Sequence, residues 1–225
     1  MGGQIPATLA LALLFLTFYN MKYILIFLLG CSALFAQTKV QLQDGDLVFQ
    51  DMDCGPLCDA IEAVTNGYNG NDFSHMGLVY HRNDTLYIIE AAGKAVRLTT
   101  LEKFSKNTGK PMYVGRLKKQ HNKLIPQAIA FSLKQLGVPY DNEYVYNNGS
   151  YYCSELIYDA FKDANKGKPF FRLFPMTYKQ PGTQDFFPAW VDYYKQLGKP
   201  IPEGQPGCNP GGISVSDKIE IVGKI

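Results

Sequence analysis

The sequence predicts an α+β fold, with a small antiparallel sheet packed against helices. Three observations lead there. Short β-type runs fill the first half of the chain and are joined by local turns. The strongest helical pattern lies in the second half, over Cys153–Ala164, where Cys153, Leu156, Ile157, Ala160, Phe161 and Ala164 make one apolar stripe. Strands first and helices later, without β–α alternation, is the signature of segregated layers. The 225 residues suffice for one sizeable core and do not demand two.

The N-terminus precedes that domain and has a character of its own. Residues 5–36 carry a single charge, Lys22, between apolar runs at 9–18 and 23–29. Read from Met21, they give a positive start, a short apolar middle and small residues up to Ala36, the shape of a secretory signal peptide. Met21 is then the expected true start, and residues 1–36 an extension plus signal ahead of a domain over 37–225. Leu28-Leu29-Gly30-Cys31 also resembles a bacterial lipobox, so lipidation at Cys31 and cleavage after Ala36 both stand open. Either outcome places the mature protein outside the cytoplasm, periplasmic, secreted or lipid-anchored. The formal charge is +2, and loss of Lys22 leaves 2 − 1 = +1. With basic residues scattered, nothing points to a nucleic-acid partner.

Along the domain, a turn at Gly45-Asp46 introduces a strand ending at Gln50, within 43–50. Pro56 opens a short helix over 56–65, with Leu57, Ala60, Ile61 and Val64 at helical spacing. A Gly/Asn-rich loop over 66–72 leads to a hairpin, strands 76–80 and 85–91, turning through His81-Arg82-Asn83-Asp84. Further strands are expected at 95–98 and 112–117. An amphipathic helix over 124–136 stops at Gly137-Val138-Pro139, and a tyrosine-rich loop runs on to Tyr152. Beyond the Cys153 helix come a helix around 189–197, a Pro/Gly-rich loop over 198–212 and a closing strand at 219–222. The tyrosines concentrate from residue 140 onward, as rings with wet hydroxyls do along a core edge or cleft.

Cys54, Cys58 and Cys208 accompany Cys153 in the domain. A C-x₃-C pair without a second pair is a weak zinc signal. A bridge from Cys54 or Cys58 to Cys208 is open in an oxidising compartment. Isolated buried thiols are the expectation.

Cys153 stands at the first turn of its helix, where unpaired amides favour thiolate over thiol and can hold an oxyanion. Its alternative role is a small apolar residue heading the stripe. A base must come from three histidines. His121 sits in a Lys/Gln/Asn loop and reads as solvated; His81 falls at the hairpin tip, where a turn role suffices. His75 opens a strand beside Gly77, whose missing side chain leaves room for another group. Opposed residues of an antiparallel pair keep a constant number sum. A loop of Arg82-Asn83 puts Glu90 opposite His75; a loop one residue later puts it opposite Gly77, diagonal to His75. In both registers the carboxylate shares the imidazole's face. An acid inside the apolar run Ile88-Ile89-Glu90-Ala91-Ala92 also calls for a partner.

These residues resemble a known family. Gly45-Asp46-Leu47-Val48-Phe49, Phe73-Ser74-His75-Met76-Gly77-Leu78-Val79, Ile89-Glu90-Ala91 and Tyr152-Cys153-Ser154-Glu155-Leu156 occur in the order of the permuted NlpC-like cysteine hydrolases, the YiiX-like group. That group is similar to papain with the chain circularly rearranged, so histidine precedes cysteine. The resemblance spans about residues 43–165 and implies a papain-like sheet or barrel on the cysteine helix. It implies Cys153 as nucleophile, His75 as general base and Glu90 as orienting group, with no cofactor and no metal. The activity implied is acyl-enzyme hydrolysis of an amide by an exported monomer, on a cell-wall peptide or related amide. A lipid-directed acyltransferase or thioesterase is the second expectation, and a catalytically silent binding module the third. Neither the tail nor the remaining cysteines are explained by the resemblance.

Overall fold

The structure, a computed structural model, describes residues 40–225. The expected signal peptide, the Met21 start and lipidation at Cys31 lie outside the described residues. A six-stranded antiparallel sheet forms the frame, in the order β4 (Ala95–Thr100), β3 (Thr85–Ala92), β2 (His75–Arg82), β1 (Leu47–Gln50), β5 (Tyr113–Leu117) and β8 (Ile219–Lys224).

Strand β1 (Leu47–Gln50) begins directly after the expected turn at Gly45-Asp46. Gly45 adopts φ 86°, and the Asp46 amide donates back to the Gln43 carbonyl, so the chain turns before it extends. The buried Asp46 carboxylate fixes this turn by accepting from the Gln43 amide and, twice, from Arg116, at 2.7–2.9 Å. Helix α1 (Pro56–Glu62) follows and ends three residues short of expectation, with the Thr65 hydroxyl turned back onto the Ile61 carbonyl.

Strands β2 (His75–Arg82) and β3 (Thr85–Ala92) pair with Arg82 opposite Thr85. The turn is therefore Asn83-Asp84, both at positive φ as a type I′ turn demands. Of the two registers open in the sequence, this is the one that sets Glu90 opposite Gly77 and diagonal to His75. Strand β4 (Ala95–Thr100) closes a second hairpin. A five-residue helix, α2 (Leu101–Ser105), follows it, capped by Thr100; it is too short to leave a periodic signal in the sequence.

After β5 (Tyr113–Leu117) a 3₁₀ turn over Lys119–Leu124 leads into α3 (Ile125–Lys134). Helix α4 (Cys153–Ala164) has the bounds the apolar stripe predicts. The tail holds β6 (Phe174–Pro175), α5 (Pro188–Leu197), β7 (Pro206–Gly207), α6 (Pro210–Ser214) and β8 (Ile219–Lys224). The segment expected as a Pro/Gly loop thus contains half of a two-stranded ribbon and a short helix. Asn209 caps that helix by accepting from the Gly212 amide at 2.6 Å.

The two faces of the sheet are covered differently. Leu47, Phe49, Met76, Leu78, Ile89 and Ala91 pack with the α4 stripe in the main core. Val48, Val79 and Ile88 pack with Phe104 and Met112 on the opposite face. His75 and Glu90 belong, by strand alternation, to that second face.

The cysteine expectation needs correcting. Cys54 and Cys58 are bonded to each other, with Cα atoms 5.3 Å apart, a separation a disulfide spans. Gly55, at φ 75°, folds the chain back just ahead of α1 and carries Cys54 over its first turn. Cys208 is a buried free thiol, as expected, and takes no part in a bridge.

Gly77 shows why no side chain is tolerated beside His75. A Cβ there would collide with Ile88 Cγ2 and lie 3.1 Å from the Ile89 carbonyl oxygen. Gly77→Ala should therefore cost about 1–3 kcal/mol through forced strand displacement. Urea unfolding should give a lower midpoint with an unchanged slope.

Candidate active site

Hairpin geometry assembles half of the site. On β3 and β4 the pairing puts Glu90 opposite Arg97. With His75 diagonal on one side and Thr99 on the other, all four side chains share one face of three adjacent strands. Glu90 is fully buried, and each of its oxygens is taken. Oε2 meets His75 Nε2 at 2.7 Å; Oε1 accepts from Arg97 Nε at 2.9 Å and from the Thr99 hydroxyl. The alternative of a carboxylate pointing into water is thereby excluded.

The other half is the tip of α4. Cys153 is its first residue, and the first intrahelical bond runs from the Leu156 amide to the Tyr152 carbonyl. The amides of Cys153 and Ser154 thus precede the hydrogen-bonded ladder, as donors at the positive end of the helix. A tail segment braces this turn: the Ser154 hydroxyl donates to the Cys208 carbonyl at 3.0 Å, and the Cys208 amide donates to the Tyr152 hydroxyl at 3.2 Å.

The two halves meet at the imidazole. His75 gives Nε2 to Glu90, leaving Nδ1 as the ring nitrogen not engaged by the carboxylate, and both His75 and Cys153 line one cleft. Burial opposes protonation of this ring, but the hydrogen bonds and charges of Cys153 and Glu90 outweigh it and raise the pKa to about 9. Burial likewise opposes ionisation of Glu90; His75, Thr99 and Arg97 outweigh it and hold the pKa down at about 2. At neutral pH the carboxylate is ionised and the imidazole favours the protonated form. Such a set can exchange a proton with the sulfur at one end and is held in one tautomer and orientation at the other.

The structure therefore brings Cys153, His75 and Glu90 together in that order. The remaining histidines lie elsewhere. His81 bonds Asp44 at 2.7 Å through Nδ1, and His121 stands edge-on to Phe170 with ring centres 5.0 Å apart. Sequence reasoning missed Arg97 and Thr99. The signal was present: the constant sum applied to the β3–β4 hairpin sets residue 97 opposite 90. It also passed over Glu155, fully buried two residues after the sulfur, where burial and then Asp141 and Asp159 push its carboxyl up to about 8 despite the 2.7 Å bond from the Asn147 amide.

Cys153 and His75 both line a cleft of about 230 Å³, walled by α1, the tyrosine loop and the tail. The Cys54–Cys58 bridge forms part of its wall, which gives the pair its place in the structure.

A thiol at a helix tip, sharing a cleft with a strand histidine that precedes it in sequence, on a six-stranded antiparallel sheet, defines the circularly permuted papain-like fold. The chain belongs to the permuted papain-like amidase enzymes of the YaeF/YiiX, C92 family, whose model matches residues 41–222. Among curated relatives, Escherichia coli K12 YiiX, described as uncharacterized, is 31% identical over 130 residues, 55% of this chain. The match spans 59% of that relative's length. The crystal structure titled metalloprotein yiiX, from Escherichia coli O157:H7, superposes with a TM-score of 0.68 at 23% identity. It covers 83% of this chain and 99% of that one, a likeness of fold. Among the described residues here, no group of three or more His, Cys, Asp or Glu side chains converges as metal ligands would.

Glu90→Gln should keep the ring in place while removing the charge that holds its proton. The fall in kcat/KM at high pH, set in the wild type by loss of the imidazolium proton near pH 9, should move toward the ordinary histidine value of roughly 6.5. The maximal rate should drop about 10²–10⁴-fold. A pH series of initial rates on both proteins checks the sign and the size.

Proposed function

We propose that the protein is a thiol hydrolase that cleaves an amide bond through an acyl-enzyme on Cys153. The observation carrying this reading is that Cys153, at the helix tip, and His75, bonded to the buried Glu90, line the same cleft. The Cys153 thiolate attacks the substrate carbonyl carbon and forms a C–S bond. The oxyanion is held by the amides at the tip of α4; such donors are typically worth about 10²–10³ in rate. The His75 imidazolium then gives its proton to the amide nitrogen as the C–N bond breaks and the amine leaves. Neutral His75 next takes a proton from water, whose oxygen attacks the thioester and releases a carboxylic acid. Glu90 stays ionised and holds the ring throughout.

The site of action is the cell envelope. The signal-like N-terminus supports this, and so does a disulfide, which oxidising compartments preserve. The substrate is an amide of that envelope, a wall peptide or an acylated lipid; the two share the carbonyl chemistry and differ in what flanks it. Among the described residues no helix is long and apolar enough to cross a membrane.

Cys153→Ala should reduce amide hydrolysis to background while the melting temperature stays close to wild type. Both free thiols are buried, and a thiol-directed electrophile at neutral pH should label Cys153 ahead of Cys208, whose thiol burial pushes well above its ordinary range. Peptide mapping of the adduct reads this out. A wild-type protein whose Cys153 stays unlabelled is no thiol hydrolase.

A further inference from the structure

Next to the His75–Glu90 pair lies a cation of which the proposed mechanism uses one edge only. Arg97 stands on β4 directly opposite Glu90. Its Nε donates to Glu90 Oε1 at 2.9 Å, and among the described residues neither Nη group has an acceptor in the protein. The guanidinium is planar and permanently charged, and the Nε bond fixes its orientation, so the free donors stand as a rigid fork. The Arg97 side chain is 39% exposed and lines the cleft that His75 and Cys153 share. Gly93, in the β3–β4 turn at φ 65°, lines that cleft too. A Cβ there would come within 3.1 Å of Arg97 Nη1, so glycine leaves the fork uncovered.

The charge balance around the fork favours an anion. Glu90 is a single negative charge shared between Arg97 and the His75 imidazolium, which leaves the cluster net positive at neutral pH. No Asp, Glu or Lys lines the cleft to offset it. Position says which half of a substrate would carry that anion. One carboxylate separates the guanidinium from the ring, and the ring is the group that hands a proton to the departing amine. The two terminal nitrogens of a guanidinium match the two oxygens of a carboxylate, bond for bond. We infer that Arg97 is a specificity-determining residue whose Nη groups bind a carboxylate on the amine half of the substrate, so that the amide cleaved is one formed on an amino acid with its acid group free. Water and the amide yield a carboxylic acid and the amino acid, with no further reactant. The inference rests on the amide-hydrolase reading and specifies the amine released.

The test offers the full chain pairs of amides that differ only at the end of the amine half: N-benzoylglycine against N-benzoylglycinamide, and the matching β-alanine pair. Released amine is read by mass spectrometry. In at least one pair the acid should be cleaved about 10–10²-fold faster in kcat/KM, the usual worth of a charge-assisted bond. Equal or faster cleavage of the carboxamide in both pairs overturns the Arg97 assignment and leaves the hydrolase standing. Arg97→Gln should slow both members, since Arg97 also holds Glu90, and should bring the ratio close to one. Arg97→Lys, which keeps the charge and loses the fork, should restore part of it. A ratio unchanged in folded Arg97→Gln contradicts the assignment. Where no pair is cleaved, N-bromoacetylglycine and N-bromoacetylglycinamide probe the same fork through their rates of Cys153 alkylation. The acid should react about tenfold faster. Equal rates overturn the inference, and no reaction at Cys153 with either reagent sinks the hydrolase reading itself. The wild-type pairs decide the question even if the variants do not fold.

Discussion

The structure turns on a carboxylate with no exposure to water. Glu90 sits between a histidine on one neighbouring strand and an arginine and a threonine on the other, and every bond it makes crosses between strands. Breaking such a buried pair by deleting one member typically costs about 3–5 kcal/mol, whereas replacing the whole set by apolar residues is often neutral. Stability alone therefore gives little reason for the arrangement. What it supplies is a fixed ring: the imidazole is pinned at Nε2, so Nδ1 is presented toward the tip of α4. Gly77 belongs to the same device, because the space above its Cα is filled by β3 side chains.

Much of this was legible in the sequence because hairpin parity is robust. Any even-length turn between β2 and β3 keeps residues 75 and 90 on one face, so the Glu90 partnership follows before the register is known. The Asn83-Asp84 turn then chooses between registers through positive φ, which both residues tolerate better than Arg82 would. Helix α4 was legible for a related reason, since twelve residues give the 3.6-residue period room to repeat.

What was not legible was short or depended on contacts distant in sequence. Helices α2 and α6 have five residues each, and β6 and β7 two, lengths at which neither periodicity declares itself. The Cys54–Cys58 bond was missed because spacing alone cannot reveal that Gly55 reverses the chain. The tail's role emerged only in space: the peptide at Cys208 holds the first turn of α4 through Tyr152 and Ser154, and Trp190 of α5 joins the cleft wall. Residues beyond the family-like motifs thus help hold Cys153 and shape the space in front of it.

Everything proposed for the site requires the Cys153 sulfur and the His75 ring to be neighbours. A short bifunctional alkylator such as 1,3-dibromoacetone tests it most directly, because it joins a thiol to an imidazole only across a few ångströms. The expected product is one intramolecular bridge, from Cys153 to His75 Nδ1, recovered as a cross-linked peptide pair. A product alkylated at Cys153 alone, or bridged to another residue, would contradict it.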